Sequence, residues 1–599
     1  MSDNSPHIAL PWAFALDIQT TGRSPSFAQI LELSLAPIQA KEILPASAED
    51  SSPPPASAQI QTWRVRLPEG QKISAQISQI TGLTDEDLTS AITSEELLNH
   101  LLELTKQHNQ KILFIAHYAV FEKMFLKSLF EIFGRISDYD CISWLCTQRL
   151  SQKVWPDLPS HTLRALSGYF DLPFQDYKRA TSHVEATQEI WRRLKPNLEN
   201  QNLTTFDDLA AWLMPDSKKG KKIKAPPKPR SYPLARELRL KLPPAPGVYQ
   251  MYNGQGQLLY VGKATNLKER VNSYFRGLKG RDRRKLEMMA QVKNIEIEIC
   301  RSPFEAALRE SDLIKSRRPK YNIALREENR RLVFYARDFL SATSDQSETW
   351  NIGPFGRSNS LEILRSFHEG WQRGNLAAGF FEVFPETTLT EGFKIFCETY
   401  SFNSPSTTSF RSLLAFATNL FRHYAHELAR HKSEVADLTV ETEIDESFEE
   451  PESESFNESE NQNSPDQNAI PPEDLSQKYL RLFLRAGQEL RKKSELTLLL
   501  NSSWESSDHK EPNKKTIYRF VDGILIPAGQ TVSNSSSRTG VSNSHPWRNL
   551  TVRDYDRMTI LESEIRRGLL QKPASATLKD MSFRETSPEG DAAEQLDAF

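Results

Sequence analysis

The chain has 599 residues, which excludes a single hydrophobic core and predicts three or four domains at one per ~150 residues. No run approaches the ~20 apolar residues of a membrane helix and the amino terminus lacks a signal pattern, so we expect a cytoplasmic protein without a membrane partner. The formal net charge is −3. The four cysteines are scattered without a Cys-x-x-Cys pair, so neither a disulfide framework nor a zinc site is indicated.

The amino-terminal part begins with two predicted apolar strands. The first reads Trp-Ala-Phe-Ala-Leu-Asp-Ile-Gln-Thr over residues 12–20, is followed by Thr21-Gly22, and precedes a second strand that starts at Ile30. A Pro-, Ser- and Ala-rich stretch over residues 46–58 reads as a surface loop. Two later segments carry polar side chains in apolar surroundings: Ala-His-Tyr-Ala-Val-Phe-Glu at 116–122 and Lys-Arg-Ala-Thr-Ser-His-Val-Glu-Ala-Thr at 178–187.

Together these three segments resemble the motifs of the DnaQ-like (DEDDh) 3′–5′ exonucleases, which implies an RNase H-like fold over residues 1–200. The family motifs read Asp-x-Glu-Thr-Thr-Gly, Ala-His-Asn-x-x-Phe-Asp and His-x-Ala-x-x-Asp-Ala-x-x-Thr. Five positions of this chain align with the family's catalytic positions: Asp17, Gln19, Glu122, Lys178 and His183. Only the first of these keeps the family's residue.

The departures predict an inactive exonuclease-like domain. Two cations ~4 Å apart need several convergent carboxylates to offset their mutual repulsion, and here Gln19 and His183 are neutral while Glu122 is one methylene longer than the family's aspartate. Glu185 lies two residues along a helix and therefore on another face. The domain would then hold DNA, a replication clamp or another partner; the alternative is a 3′–5′ exonuclease for which Asp17 and Glu122 suffice.

A basic, proline-rich linker is predicted over residues 201–240. It opens a wider basic block, since residues 216–331 hold 29 Lys and Arg against 12 Asp and Glu. A block of this size is expected of a surface that binds nucleic acid, although a merely solvated basic face would have the same composition.

The block contains a predicted β-hairpin and two helices. Gly-Val-Tyr at 247–249 and Tyr-Val-Gly-Lys at 260–263 flank an Asn-Gly turn, which is typical of a hairpin. A helix follows over about 265–275, and a second helix begins at a Ser-Pro-Phe-Glu capping box, residues 302–305, and stops before Pro319. The second helix carries Glu310 among apolar neighbours, where a carboxylate needs an arginine or a metal ion as its partner.

The motifs Gly-Val-Tyr, Leu-Tyr-Val-Gly-Lys-Ala, Asn-Leu-Lys-x-Arg, Glu-Ala-Ala-Leu-x-Glu and Arg-Pro-Lys-Tyr-Asn resemble the GIY-YIG endonuclease domain of the excinuclease protein UvrC and its short homologue Cho, here over residues 241–326. This resemblance implies DNA as substrate and one Mg²⁺ or Mn²⁺ ion held by Glu310. Arg270 would clamp the scissile phosphate. The remaining family roles, which are to position and deprotonate the attacking water and to complete the pocket, fall on Tyr249, Tyr260, Lys263 and Asn322.

Hydrolysis of a phosphodiester fits these residue types, because the metal ion and an arginine can stabilise charge on the phosphoryl and leaving oxygens. A tyrosine with a pKa near ~10 is a poor base unless a cation lowers it, and Lys263 or the metal could do so. We prefer Tyr260 over Tyr249 as the base.

The rest of the chain divides into four predicted regions: a mostly helical UvrC/Cho-like extension (327–432) with Gly-Pro-Phe-Gly at 353–356, an acidic disordered linker (433–477) with 15 Asp and Glu and no Lys or Arg, a C-terminal α/β module (478–570) and a flexible tail (571–599). The fold class is therefore multidomain α/β and α+β, with a mainly helical C-terminal part.

The sequence thus predicts a GIY-YIG DNA endonuclease acting in repair similar to nucleotide excision repair, loaded by a DNA-repair factor. The alternatives are an active 3′–5′ exonuclease linked to replication and a non-catalytic DNA-binding scaffold.

Overall fold

The structure is a computed structural model. It describes residues 12–38, 60–108, 112–173, 178–203, 205–214, 230–276, 283–322, 332–336, 339, 341–344, 352–356, 359–373, 386–402, 409–435, 472–526 and 550–573. The predicted loop at 46–58 and nearly all of the tail lie outside these residues, as does the basic tract 218–229. Within the described part of the chain, no helix is long and apolar enough to cross a bilayer.

The chain forms two compact units. The first contains 1–243, 249–260 and 268–296, and the second contains 244–248, 261–267 and 297–599. Each is described separately below.

The first unit is built on a five-stranded sheet of order β3-β2-β1-β4-β5. Its strands are β1 (Trp12–Thr20), β2 (Ile30–Pro37), β3 (Gln61–Arg64), β4 (Ile112–Ala116) and β5 (Ile142–Cys146). The first three pair antiparallel, whereas β1, β4 and β5 run parallel. Both predicted amino-terminal strands are thereby confirmed, and the mixed sheet fits the expected α/β class.

Helices cover the sheet, as a strand that is apolar on both faces requires. The described helices up to residue 300, whether or not they lie on this sheet, are α1 (Ala75–Thr81), α2 (Ser94–Gln107), α3 (Val120–Ile132), α4 (Ile136–Tyr139), α5 (Thr147–Val154), α6 (Leu163–Tyr169), α7 (Ala180–Glu199), α8 (Phe206–Leu213), α9 (Arg236–Leu240), α10 (Leu267–Ser273) and α11 (Arg283–Met289), with a 3-10 turn at Asp85–Leu88. Phe14 and Phe114 face one core with α2 and α3, while Ala13 and Leu113 face another with α5 to α8.

The predicted linker begins too early. Helix α8 lies inside 201–240, yet its Leu209 and Leu213 are buried in the same cluster as Ile190 and Leu194 of α7. The amino-terminal core therefore includes residues up to Leu213.

The hairpin consists of β6 (Gly247–Tyr252) and β7 (Leu258–Ala264), and with β8 (Asn294–Ile299) it forms a sheet of order β7-β6-β8. Within the first unit the turn of this hairpin contacts the amino-terminal core. Gln255 Nε2 donates to the carbonyl of Leu172 at 2.9 Å, and Lys293 pairs with Asp171. The two predicted domains are thus packed together over these residues.

The second unit contains α12 (Pro303–Arg317), two three-stranded sheets and a set of long helices. The sheets have the orders β10-β9-β11 and β12-β13-β14. The remaining elements are β9 (Leu332–Tyr335), β10 (Ala342–Thr343), β11 (Ile352–Gly356), α13 (Asn359–Arg373), α14 (Glu386–Thr399), α15 (Phe410–Val435), α16 (Pro472–Leu498), β12 (Ser502–Ser507), β13 (Lys515–Val521), β14 (Ile524–Ile526) and α17 (Val552–Arg566).

Two hydrophobic clusters hold this unit together. The larger, rich in Phe, joins α13 to α16 and the strands around Tyr335. The other packs α12 through Phe304 and Ala307 against α17 through Met558 and Leu561. The second cluster fixes the helix that carries Glu310.

Several sequence boundaries shift in the structure. The helix predicted over 265–275 spans only Leu267–Ser273. The acidic linker is shorter than 433–477, because α15 continues to Val435 and α16 already begins at Pro472. The intervening residues 436–471 are outside the described ones. Asp522 and Gly523 form the turn between β13 and β14, with φ of 49° and 78° at these two residues.

Candidate nuclease site

The predicted nuclease residues fall into two groups, one in each unit. Tyr249, Tyr260 and Arg270 belong to the first unit, whereas Lys263, Glu310 and Asn322 belong to the second.

The first group is a cluster of three tyrosine rings around a guanidinium. Tyr249 is fully buried, and its hydroxyl oxygen lies 2.9 Å from that of Tyr274. The ring of Tyr260 lies 6.1 Å from that of Tyr249 and 6.3 Å from that of Tyr274. Arg270 places its guanidinium carbon 5.7 Å from the Tyr274 ring and hydrogen-bonds Tyr249. The sequence analysis assigned no role to Tyr274, although a tyrosine four residues after Arg270 in the predicted helix was an available signal.

Hydrogen bonding assigns the proton of Tyr249. An arginine only donates, so the Tyr249 hydroxyl accepts from Arg270 and has its own proton to give to Tyr274. Burial, and then the neighbouring Tyr274 and Tyr260, raise the pKa of Tyr249 well above its usual value. A neutral, buried Tyr249 is unsuited to accept a proton from water, which supports the preference for Tyr260 as base.

The Arg270 side chain stays cationic in this setting. Burial lowers its pKa, but the neighbouring Tyr249 and Tyr274 outweigh that effect and raise it above the normal arginine value. The cluster therefore keeps a permanent positive charge in a largely desolvated position.

The second group is tied together by hydrogen bonds to strand β7. The Lys263 backbone N–H donates to Glu310 Oε1 at 2.9 Å. Asn322 accepts from the Val261 N–H with its Oδ1 and donates to the Val261 carbonyl with its Nδ2, both at 2.9 Å. Asn322 is buried, so this two-way bond to the strand fixes its side-chain amide.

Glu310 lies on helix α12, which is capped at its amino terminus. The Ser302 side chain accepts from the Glu305 N–H, with proline at the first turn, as predicted. The reciprocal half of the capping box differs, because Glu305 Oε2 accepts from the Arg301 N–H rather than from that of Ser302. Ala306 and Ala307 of the same helix are buried.

Glu310 is compatible with a hard divalent cation. Mg²⁺ keeps several waters and is often bound through one or two carboxylates, so a single half-buried carboxylate held by a backbone N–H suits it. No cluster of three or more His, Cys, Asp or Glu suited to a metal occurs among the described residues. Glu310 would therefore hold the ion, and the ion would supply charge stabilisation at the phosphate.

The exonuclease-like residues meet at the first strand. Asp17 Oδ1 lies 3.1 Å from His183 Nδ1, and Asp17 Oδ2 accepts from Gln19 Nε2 at 3.1 Å. Both oxygens of the one retained aspartate are thus engaged by the two residues that replace carboxylates of the family. Two closely spaced cations do not fit this arrangement.

Glu122 lies at the same site in a buried position. Its Oε2 has no hydrogen-bond partner among the described residues, and burial followed by the charge of Asp17 raises its pKa well above the normal range. The neighbouring His117 is held neutral: its Nε2 donates to the His161 carbonyl at 2.9 Å, and burial lowers its pKa to about 4.

The other two residues of the third motif lie elsewhere. The Lys178 side chain packs beside the backbone of Gly82, and Glu185 is solvent-exposed on α7. Sequence reasoning missed Glu32, a fully buried carboxylate that pairs with Arg179 and accepts from the Ala180 N–H at 3.1 Å. A glutamate within the otherwise apolar strand Ile-Leu-Glu-Leu-Ser-Leu was the sequence feature that could have indicated a buried carboxylate here.

Comparisons with known proteins agree with both resemblances. Residues 245–323 match the UvrC-like GIY-YIG domain. UvrABC system protein C of Legionella pneumophila is 51% identical over 102 residues, which are 16% of this chain and 16% of that protein. A Mycobacterium tuberculosis protein provisionally named a bifunctional exonuclease/endonuclease is 30% identical over 257 residues, or 42% of this chain.

Among solved structures, the magnesium-bound GIY-YIG domain of Thermotoga maritima UvrC is 34% identical, with 15% of this chain and 94% of that chain covered and a TM-score of 0.14. Escherichia coli exonuclease I with a dT13 oligonucleotide is 12% identical, with 32% and 42% covered and a TM-score of 0.26. The matches span only 36% of the Mycobacterium protein and 16% of the Legionella protein. The chain thus combines a UvrC-like GIY-YIG domain at residues 245–323 with similarity to an exonuclease/endonuclease protein over a longer segment.

Proposed function

We propose that this chain is a metal-dependent endonuclease that hydrolyses phosphodiester bonds of DNA at its GIY-YIG site, in repair similar to nucleotide excision repair. The observation that carries the proposal is the bond from the Lys263 N–H to Glu310 Oε1, which links the residue expected to hold the metal to the Tyr-Val-Gly-Lys strand of the matched domain.

Each side chain has a role that its surroundings support. Glu310 holds a divalent cation, Mg²⁺ or Mn²⁺, which supplies stabilisation of charge on the phosphoryl and leaving oxygens. Arg270 binds the scissile phosphate as a fixed cation. Tyr260, half-buried beside the neutral Tyr249, takes the proton of the attacking water.

Asn322 and Lys263 complete the site. Asn322 fixes the course of β7 through its two bonds to Val261, so the strand positions both Tyr260 and Lys263. In this proposal the Lys263 ammonium would favour the anionic form of the phenol that acts as base.

The exonuclease-like domain has no nuclease activity in this proposal. Asp17 is engaged by His183 and Gln19, and restoring two-metal chemistry would require carboxylates that these positions lack. The domain would bind DNA or a protein partner such as a replication clamp, while a DNA-repair factor loads the nuclease.

The test uses purified full-length chain, Mg²⁺ and a lesion-bearing duplex labelled at either the 5′ or the 3′ end. Wild type is compared with Glu310→Gln and Asp17→Ala. We expect an internal nick that disappears in Glu310→Gln and persists in Asp17→Ala.

Two results would contradict the proposal. A ladder from the 3′ end that is lost in Asp17→Ala would show an active exonuclease. Binding without cutting, with or without cell extract as a source of loading factors, would favour a DNA-binding scaffold.

A further inference from the structure

Helix α17 reaches the nuclease residues of the second unit from a part of the chain far away in sequence. Met558 and Leu561 of α17 share a buried cluster with Phe304 and Ala307 of α12. The segment that matches the GIY-YIG family ends at residue 323, so α17 lies outside it.

Helix α17 contacts Lys263 through Glu564. The Nζ of Lys263 lies 3.2 Å from Glu564 Oε1, while its backbone N–H donates to Glu310 Oε1 at 2.9 Å. One residue therefore joins the carboxylate expected to hold the metal to a carboxylate of the C-terminal module.

Glu564 is an unusually buried acid. Only 1% of its side chain is exposed, its Oε1 is shared between Lys263 and Arg567 Nη1 at 3.5 Å, and its Oε2 has no hydrogen-bond partner among the described residues. A buried carboxylate satisfied at one oxygen costs stability. Packing alone therefore gives no reason for an acid at this position.

The contacts between α12 and α17 oppose separation of the two helices. Lys315 Nζ of α12 lies 2.7 Å from Asp556 Oδ2 of α17, with side chains 1% and 2% exposed, and Asp312 pairs with Arg557 at 3.3 Å beside it. Separating the helices would expose a charged pair as well as the hydrophobic cluster.

We propose that Glu564 is a positioning residue of the nuclease: it anchors the Lys263 ammonium, so that the C-terminal module forms part of the GIY-YIG active site. This inference rests on the proposed function. It assigns a role to the C-terminal module, to which the sequence analysis gave none.

The test compares full-length wild type, Glu564→Gln, Glu564→Asp and Asp312→Asn. The last variant is a matched control, since it removes an ion pair between the same two helices that does not involve Lys263. Single-turnover incision of the labelled duplex gives the rate at saturation and the half-saturating DNA concentration. Reductive methylation followed by mass spectrometry gives the reactivity of the Lys263 amine independently of cutting.

We expect Glu564→Gln to lower the saturating rate roughly 10-fold with little change in half-saturation, and to speed methylation of Lys263. Glu564→Asp should recover part of the rate, and Asp312→Asn should behave as wild type. In a Lys263→Met background, Glu564→Gln should cause no further loss.

An unchanged rate in Glu564→Gln would overturn the inference and leave the endonuclease intact. A faster rate would overturn it too, since the contact would then be inhibitory. Unchanged methylation of Lys263 would refute the ion pair itself. Failure of wild type to cut would instead refute the proposed function, and this inference would fall with it.

Discussion

The buried ion pair between α12 and α17 allows a sharp prediction about stability. Asp556→Asn leaves the Lys315 ammonium, 1% exposed and held at 2.7 Å by the carboxylate, without its buried counter-charge. Its remaining bond to Ser311 Oγ, also 2.7 Å, is to a neutral hydroxyl. Removing one partner of a buried pair costs about 3–5 kcal/mol, so we expect that loss in the local free energy of opening.

Hydrogen exchange read by mass spectrometry measures this locally, on peptides covering 303–317 and 552–566. Opening free energies of both helices should fall together, because they share one cluster. Asp312→Asn breaks a pair whose aspartate is 32% exposed and should cost less than about 1 kcal/mol.

The double variant Lys315→Met with Asp556→Leu removes both charges of the buried pair at once. Replacing both charges by apolar groups of similar size is often neutral or stabilising, so the opening free energies of both helices should return to within about 1–2 kcal/mol of the wild-type values. Equal protection in Asp556→Asn and Asp312→Asn would refute the reasoning, as would a double variant no better than the single one.

Three further predictions concern the first unit. Burial lowers the pKa of the His117 ring from 6.5 to about 4, so the unfolded state binds more protons than the folded state between these pH values. The free energy of unfolding should therefore be highest above pH 6.5 and fall towards pH 4, by about 2 kcal/mol more than in His117→Gln once the partial exposure of the ring is allowed for. Urea titrations at several pH values measure this difference. Gln19→Glu with His183→Asp restores two carboxylates around Asp17 and should create Mn²⁺ binding in calorimetry; no gain would contradict the proposal that the missing carboxylates leave this site inactive. Arg270→Lys should lower incision about 100-fold, since an ammonium lacks the planar fork; near-wild-type cutting would rule out a phosphate clamp.

Local patterns allowed most elements of the GIY-YIG domain to be predicted from the sequence. The hairpin, the Ser302 cap and the helix carrying Glu310 each depend on neighbouring residues, whose preferences are visible along the chain. The helix predicted over 265–275 differs from the observed Leu267–Ser273 by two residues at each end, which is the usual uncertainty of a helix boundary.

Long-range pairings could not be derived in the same way. Lys263 and Glu564 are 301 residues apart, and nothing in the spacing of α17 indicates which cation its glutamate meets. The burial of α8 on the amino-terminal core was likewise hidden, since an eight-residue apolar helix beside a proline-rich tract fits a linker equally well. The meeting of Asp17 and His183 was accessible only through the family resemblance.

The most direct test of the central claim is the single-turnover incision rate of Glu310→Gln, with DNA affinity measured on the same preparation. We predict a loss of at least about 100-fold in rate with affinity nearly unchanged, because the amide keeps the shape of the side chain but not the charge that would hold the metal. Incision by Glu310→Gln at the wild-type rate would contradict the claim.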